Sequence, residues 1–216
     1  EDIYKKYIER SQNYINVFDG ATRFFRGKRM DGNWESPFNP LAVGRAYTEA
    51  TAWQYRFFVP HDVNGMIQLF GGKEEFVAAL DDIFNTDAEI HGNLVDITGL
   101  IGQYVHGNEP SHHIAYLYNY VGEPWKTQKM SRRLLNEMYH PTPEGIIGNE
   151  DCGQMSAWYI LSSMGLYSVC PGSNEYVLTT PLFEKVVVHL ANGRTLTILA
   201  NDPQKNIYIT KVELNG

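Results

Sequence analysis

Three short segments of this chain contain the side chains that are best suited to chemistry. They are Tyr47–Glu49, His106–His113 and Gly148–Tyr159, and they carry carboxylate, amide or imidazole groups. Each segment lies where a loop meets the predicted start of a helix, and residues on such loops are often gathered into one cleft by a helical scaffold. The sequence therefore predicts that the three segments form parts of one active site.

Glu49 is the first candidate for acid–base chemistry. It lies near the start of a predicted helix whose inner face carries Trp53. A carboxyl group that packs against an indole ring, away from water, has a raised pKa, as a general acid requires. The alternative is a glutamate in the first helical turn that is stabilised by the helix dipole.

Asp151 is the second candidate, and its surroundings predict the opposite charge state. It lies just before a predicted helix that begins at Gln154, where the helix dipole and backbone N–H groups favour the ionised form. Such a carboxylate can take a proton from water. Asp151 and Gln154 also have the spacing of a capping box, so both interpretations stay open.

The segment His106–His113 combines three histidines with Asn108 and Glu109. Zinc bound by His106, His112 and His113 is one alternative, but the spacing is not His-Glu-x-x-His and no Cys/His pair completes a tetrahedral set. The oxygen donors, together with Asp151, better suit a hard cation such as Ca²⁺. A further alternative is a structural loop whose histidines hydrogen-bond within the protein.

A smaller polar motif, His61-Asp62, is interpreted as a turn and helix cap.

Charge and hydropathy exclude several classes of partner. The formal net charge is -7, and no Lys/Arg block forms a footprint for nucleic acid or an anionic membrane. No apolar run approaches the roughly 20 residues of a membrane span. These features favour a neutral substrate.

Cys152 and Cys170 form either one disulfide or two free thiols, and buried thiols are the favoured interpretation.

The periodicity of the chain predicts helices first and strands afterwards. The predicted helices are residues 1–17, Tyr47–Phe58, Asn64–Phe70, Lys73–Phe84, Ser111–Tyr120, Pro124–Met138 and Gln154–Met164. The predicted strands are Val177–Thr179, Val186–Leu190, Leu196–Ala200 and Ile207–Thr210, with a hairpin turn at Asn192-Gly193. This order indicates a mainly α protein with a helical domain over residues 1–165 and a β region over 166–216. Seven helices are too few to close a double ring of helices. We therefore expect this chain to form part of a larger helical toroid, with the rest of the toroid N-terminal to Glu1.

Together the segments resemble glycoside hydrolase family 92, the calcium-dependent exo-acting α-mannosidases. The resemblance is carried by Tyr47–Tyr55, Val59–Asp62, His106–Pro110 and Asp151–Tyr159. It implies an (α/α)6 toroid preceded by a β-sandwich domain to which the C-terminal strands return. This chain would then be the C-terminal part of the catalytic protein, working with that sandwich and the remaining toroid.

The resemblance also implies an activity: release of mannose from the nonreducing end of α-mannosides, α-1,2-linked ones foremost, by single-displacement inversion with Ca²⁺. Glu49 matches the general acid and Asp151 the general base, with Asn108, Glu109 and Asp151 as calcium ligands. The expected sugar contacts are Trp53, Gln54, His106, His112, His113, Asn149 and Glu150.

Two departures from the family pattern stand near the predicted acid and base. Asn149 occupies a position where some members have Asp, so a second carboxylate assisting the base is missing or replaced by Glu150. Ala50-Thr51 replaces a common Gly-Asn after the acid.

An inverting mechanism requires carboxyl groups about 6.5 to 9.5 Å apart. Members of the family are usually secreted or exported to the periplasm, so the resemblance predicts the same location for this protein. The alternative function is a calcium-dependent mannoside-binding fragment without turnover.

Overall fold

The computed structural model describes residues 1–92 and 95–215. The chain divides into two compact units, Glu1–Ile114 and Ala115–Gly216. Both are built from helices and short antiparallel hairpins, in agreement with the predicted mainly α class. The domain boundary predicted after residue 165 follows the change from helix to strand and stays a prediction. No helix among the described residues is long and apolar enough to cross a membrane.

The first unit contains four α-helices and two short hairpins. In chain order the elements are α1 (Asp2–Ser11), a 3-10 turn (Asn13–Val17), β1 (Phe18–Asp19), β2 (Phe24–Phe25), α2 (Ala52–Tyr55), α3 (Val63–Phe70), α4 (Lys73–Asn85), β3 (Leu100–Ile101), β4 (Tyr104–Val105) and a 3-10 turn (Glu109–Ser111). Strand β1 pairs with β2, and β3 with β4.

Helices α3 and α4 enclose an aromatic core. The Phe57 and Phe70 rings stack with centroids 5.6 Å apart, and Phe76 meets Phe70 edge-on at 5.2 Å. The Asp62 carboxylate accepts a hydrogen bond from the backbone N–H of Gly65 at 2.9 Å, which confirms the predicted cap of α3. This core supports the segment that follows α2.

Helix α2 is much shorter than the predicted helix Tyr47–Phe58. Glu49 has a φ of +53°, which a right-handed helix does not allow. The helix begins only after Thr51, whose hydroxyl accepts a hydrogen bond from the Trp53 N–H at 3.2 Å. The Gln54 amide oxygen in turn accepts from the Thr51 N–H at 2.7 Å, which completes a capping box. Glu49 therefore lies in the loop before the helix.

Among its described residues, the second unit contains two α-helices and two hairpins. Its elements are a 3-10 helix (Ile114–Val121) that begins at the unit boundary, α5 (Pro124–Glu137), a 3-10 turn (Asp151–Gly153), α6 (Gln154–Ser163), β5 (Leu166–Tyr167), β6 (Val177–Leu178), β7 (Lys185–His189) and β8 (Thr195–Leu199). Strand β5 pairs with β6, and β7 with β8. The predicted hairpin is confirmed, with Gly193 in the left-handed region at φ +79°. The predicted helices at Pro124 and Gln154 are confirmed as well.

Two predicted elements in this part of the chain are wrong. The helix expected over Ser111–Tyr120 is instead a 3-10 helix over Ile114–Val121, preceded by the 3-10 turn over Glu109–Ser111. The segment Ile207–Thr210 forms no strand. Side chains bind its backbone instead: the Thr180 hydroxyl donates to the Ile207 carbonyl, and the Gln128 amide oxygen accepts from the Ile209 N–H.

The core of the second unit is also aromatic. Tyr116 stacks on Tyr167 with ring centroids 4.2 Å apart, and Tyr139 lies parallel to Trp158 at 5.9 Å. Tyr116 also hydrogen-bonds the hydroxyl of Ser162 on α6. These contacts fix the helix that follows the Asp151 segment.

The two cysteines do not form a disulfide. Both are free thiols, as favoured by the sequence, but only Cys170 is partly buried. Cys152 is exposed because it lies in the tight turn before α6, so its predicted burial is wrong.

Candidate active site

The loop that carries Glu49 is fixed at three successive backbone carbonyls. Each of the three accepts a hydrogen bond from a different part of the first unit. The donors are Tyr55 Oη to Thr48 O at 3.2 Å, Asn108 Nδ2 to Glu49 O at 2.7 Å and Gly44 N to Ala50 O at 3.1 Å. The Asn108 contact joins the Glu49 segment to the His106–His113 segment, 59 residues further along the chain.

The side chain of Glu49 is exposed, and this corrects the expectation that it packs against Trp53 away from water. Trp53 instead meets Phe24 edge-on at 5.1 Å and lies 5.2 Å from the Arg56 guanidinium carbon. The helix start at Ala52 explains the difference, because Glu49 and Trp53 do not lie on one helical face. The Trp53 indole N–H is buried with no hydrogen-bond partner among the described residues.

His106 is buried and neutral. Burial lowers its pKa to about 3, with a smaller contribution from nearby His112. Its Nδ1 lies 2.9 Å from the hydroxyl of Tyr104. The ring is therefore a neutral hydrogen-bonding group rather than a cation at physiological pH.

Three other expected sugar contacts have structural partners. The His112 Nε2–H donates to the His106 carbonyl at 2.9 Å, and the His113 Nε2–H donates to the Phe57 carbonyl at 2.7 Å. Gln54 caps α2 and donates to the Gln103 carbonyl at 2.6 Å. All three side chains are buried, so direct contact with a sugar finds no support in this geometry.

Asn108 and Glu109 are adjacent oxygen donors, which fits the chemistry of a hard cation. Asn108 is buried, and Glu109 is half-buried at the first position of its 3-10 turn. Two residues supply fewer than the six to eight oxygens that Ca²⁺ takes. Among residues 1–92 and 95–215, no group of three or more His, Cys, Asp and Glu is placed to hold a metal ion. This geometry does not support the zinc alternative with its three histidines.

Asp151 lies in the second unit in an unusual backbone turn. Asp151, Cys152 and Gly153 have φ values of +49°, +57° and +97°. The residue before α6 is Gly153, which has no side chain, and not Asp151, so the capping box predicted for Asp151 and Gln154 is wrong. The Asp151 side chain is exposed, which leaves its carboxylate accessible to water.

Glu150 holds this turn to helix α6. Its Oε1 accepts a hydrogen bond from the Ser156 backbone N–H at 3.1 Å, and its Oε2 accepts from the Ser156 hydroxyl at 2.9 Å. Asn149 is exposed beside it. The roles of Ser156 and Tyr55 and the donor role of Asn108 could not be predicted, because no spacing rule relates these residues to Glu49 or Asp151.

The family model for the glycosyl hydrolase family 92 catalytic domain matches residues 1–216 of this chain. The chain therefore belongs to glycosyl hydrolase family 92, as the motifs predicted.

Among its relatives is an uncharacterized secreted glycosidase of Arthroderma benhamiae, which is 31% identical over 240 residues, covering 99% of this chain and 29% of the relative. A family 92 α-mannosidase of Bacteroides thetaiotaomicron, solved in complex with mannoimidazole, is 39% identical with a TM-score of 0.86. A family 92 inverting mannosidase of the same organism is 37% identical with a TM-score of 0.81. Each structural match covers 93% of this chain and 28% of the solved one, so the chain spans under a third of its relatives' length.

Proposed function

We propose that this chain acts within a longer polypeptide that hydrolyses α-mannosides, releasing mannose from the nonreducing end with inversion. The observation that carries the proposal is the family match over residues 1–216, which includes both Glu49 and Asp151. One relative is named an inverting mannosidase, and this supports inversion at the anomeric carbon. We expect α-1,2-linked mannosides among the substrates, and the naming of a relative as secreted supports export from the cytoplasm.

Glu49 would be the general acid that protonates the glycosidic oxygen. Its backbone is held at a fixed position while its carboxyl group is exposed. The bound substrate would therefore supply the desolvation that keeps the acid protonated, together with parts of the polypeptide beyond this chain. These parts would include the rest of an (α/α)6 toroid and a preceding β-sandwich domain.

Asp151 would be the general base that takes a proton from the attacking water. It lies in the turn before α6, and its exposed side chain is accessible to water. The inverting mechanism requires the carboxyl groups of Glu49 and Asp151 to lie about 6.5 to 9.5 Å apart, with water between base and sugar.

Asn108, Glu109 and Asp151 would hold Ca²⁺, with the remaining ligands supplied by sugar hydroxyls, water or other parts of the polypeptide. When bound, this ion orients sugar hydroxyls and helps to distort the ring toward the transition state. The buried indole N–H of Trp53, which lacks a partner among the described residues, would donate to a sugar hydroxyl. His106 would support this region as a neutral group.

Two substitutions test the assigned roles. Glu49→Gln should abolish turnover of mannosides with poor leaving groups and largely spare those with good ones, because only poor leaving groups need the proton. Asp151→Asn should reduce turnover of both kinds alike, because every substrate needs the activated water. The measurement is kcat/KM for a series of aryl α-mannosides and α-1,2-mannobiose.

Equal losses for all leaving groups in both variants would contradict these roles. Binding of mannosides without any mannose release would instead support the second candidate, a calcium-dependent binding fragment, which the exposure of Glu49 favours.

A further inference from the structure

Glu49 occupies a backbone conformation that its own side chain disfavours. Its φ of +53° lies in the left-handed region, where residues with a Cβ atom are uncommon. Such conformations persist only where the surrounding structure fixes them. The contact that reaches the Glu49 carbonyl from a separate element is the side-chain amide of Asn108.

Asn108 is well placed to act as this fixed point. It is 6% exposed, and its Nδ2 donates to Glu49 O at 2.7 Å. Its own backbone is anchored, because the Asn108 carbonyl accepts a hydrogen bond from the Ser111 N–H at the start of the 3-10 turn. The amide therefore connects a buried, hydrogen-bonded turn to the peptide plane that follows Glu49.

We propose that Asn108 is a positioning residue for Glu49, in addition to any role of its amide oxygen toward a cation. The donated hydrogen bond fixes the orientation of the peptide after Glu49, and with it the direction of the Cα–Cβ bond that carries the acid. The neighbouring carbonyls of Thr48 and Ala50 have other donors, so the loop as a whole does not depend on Asn108. This inference rests on the proposed function of Glu49.

The nitrogen and the oxygen of the Asn108 amide allow positioning to be distinguished from metal binding. Positioning uses the nitrogen, whereas a cation uses the oxygen. Asn108→Asp keeps an oxygen ligand and removes the N–H donor, and its carboxylate repels the Glu49 carbonyl. Asn108→Ala removes both groups. Tyr55→Phe is the matched control, because it removes the donor of the adjacent Thr48 carbonyl and leaves Asn108 in place.

The experiment measures kcat and KM of the full polypeptide with saturating Ca²⁺, for aryl α-mannosides with good leaving groups and for α-1,2-mannobiose. Asn108→Asp should lower kcat for mannobiose by about 10²-fold, because misplacing a catalytic group by about 1 Å costs that much. It should change turnover of good leaving groups less than about threefold and leave calcium affinity by titration calorimetry undiminished. Asn108→Ala also removes the proposed oxygen ligand, so it should weaken calcium binding and lower turnover of both kinds of substrate, while Tyr55→Phe should affect kcat for mannobiose much less.

A double substitution supplies the decisive readout. If Asn108 acts through Glu49, Asn108→Asp should have no further effect in the Glu49→Gln background on aryl α-mannosides of intermediate leaving ability, for which both single variants lower turnover measurably without abolishing it. Additive losses, or losses in Asn108→Asp that are independent of the leaving group, would overturn the positioning role. A wild-type protein that releases no mannose from any α-mannoside would instead refute the proposed function on which this inference depends.

Discussion

Glu49 and Asp151 share a left-handed backbone, with φ values of +53° and +49°. This conformation costs a residue with a Cβ atom about 1 to 2 kcal/mol, and it is over-represented at functional sites. Hydrogen bonds hold the flanking backbone in each case, from the Asn108 amide to the Glu49 carbonyl and from the Met155 N–H to the Glu150 carbonyl. Both Glu49 and Asp151 are exposed in these turns.

Neither conformation could be predicted from the sequence. A positive φ is readable where glycine or asparagine marks a turn, as at Gly193, but Glu gives no such signal and Asp only a weak one. The motifs single out Glu49 and Asp151 as the candidate catalytic carboxylates, and that assignment stays a prediction. They did not predict the donors that hold them, since the contact between Asn108 and Glu49 depends on the tertiary fold.

His113 gives the protein a defined acid sensitivity. Burial lowers the pKa of His113 to about 4, well below its ordinary value of 6.5. Below pH 6.5 the unfolded chain gains a proton that the folded protein excludes, so His113 lowers the free energy of unfolding as the pH falls. The loss should be about 1.4 kcal/mol for each pH unit between 6.5 and 4. Urea unfolding at a series of pH values measures it.

His113→Gln is the variant to compare, because its amide can still donate to the Phe57 carbonyl but does not titrate in this range. It should reduce the slope of the pH dependence by about 1.4 kcal/mol per pH unit and leave the part that the buried His106 contributes. The exposed His189 provides a control, and His189→Gln should leave the dependence unchanged. A slope in His113→Gln equal to that of the wild type would place the acid sensitivity elsewhere.

At the scale of elements, helix starts with clear capping signals were predictable. Pro124 begins α5, and Asp62 caps α3 as expected. The start of α2 was not predictable, because the apolar pattern of Tyr47–Phe58 continues through the left-handed Glu49. The side chains of Thr51 and Gln54 set the true helix start, so Glu49 lies outside the short helix that carries Trp53.

Thr51→Val tests the importance of that helix start. The substitution removes the hydroxyl that accepts from the Trp53 N–H and keeps the side-chain shape, so the free energy of unfolding should fall by about 1 kcal/mol. Thr51→Ser keeps the hydroxyl and should retain most of the stability. Chemical denaturation of the two variants makes the comparison. Undiminished stability in Thr51→Val would show that the hydroxyl cap does not stabilise α2.

Ser156→Ala tests the connection between α6 and the turn that carries Asp151. It removes the hydroxyl that donates to Glu150, while Ser156→Thr retains that donor. Because the turn carries the proposed base, Ser156→Ala should lower turnover by the same factor for good and poor leaving groups, by about tenfold or less. A loss confined to poor leaving groups in the same kinetic series would contradict this assignment.

At the scale of the whole molecule, the proposed acid lies in the first unit and the proposed base in the second. Both units expose apolar groups on their secondary structure. In the first unit, Ile3, Tyr4 and Tyr7 lie exposed on α1. In the second unit, β7 and β8 form a two-stranded hairpin that pairs with no further strand among the described residues. Such a hairpin is only marginally stable alone. These features agree with the proposal that the chain works within a longer polypeptide.

Proton NMR of the first mannose anomer released from α-1,2-mannobiose tests the central claim most directly. The polypeptide that contains this chain would be compared with and without a calcium chelator. We predict that β-mannose appears first and that chelation abolishes its release, because a single displacement inverts the anomeric centre. Early release of α-mannose would contradict the proposed inverting mechanism and the separate roles of Glu49 and Asp151.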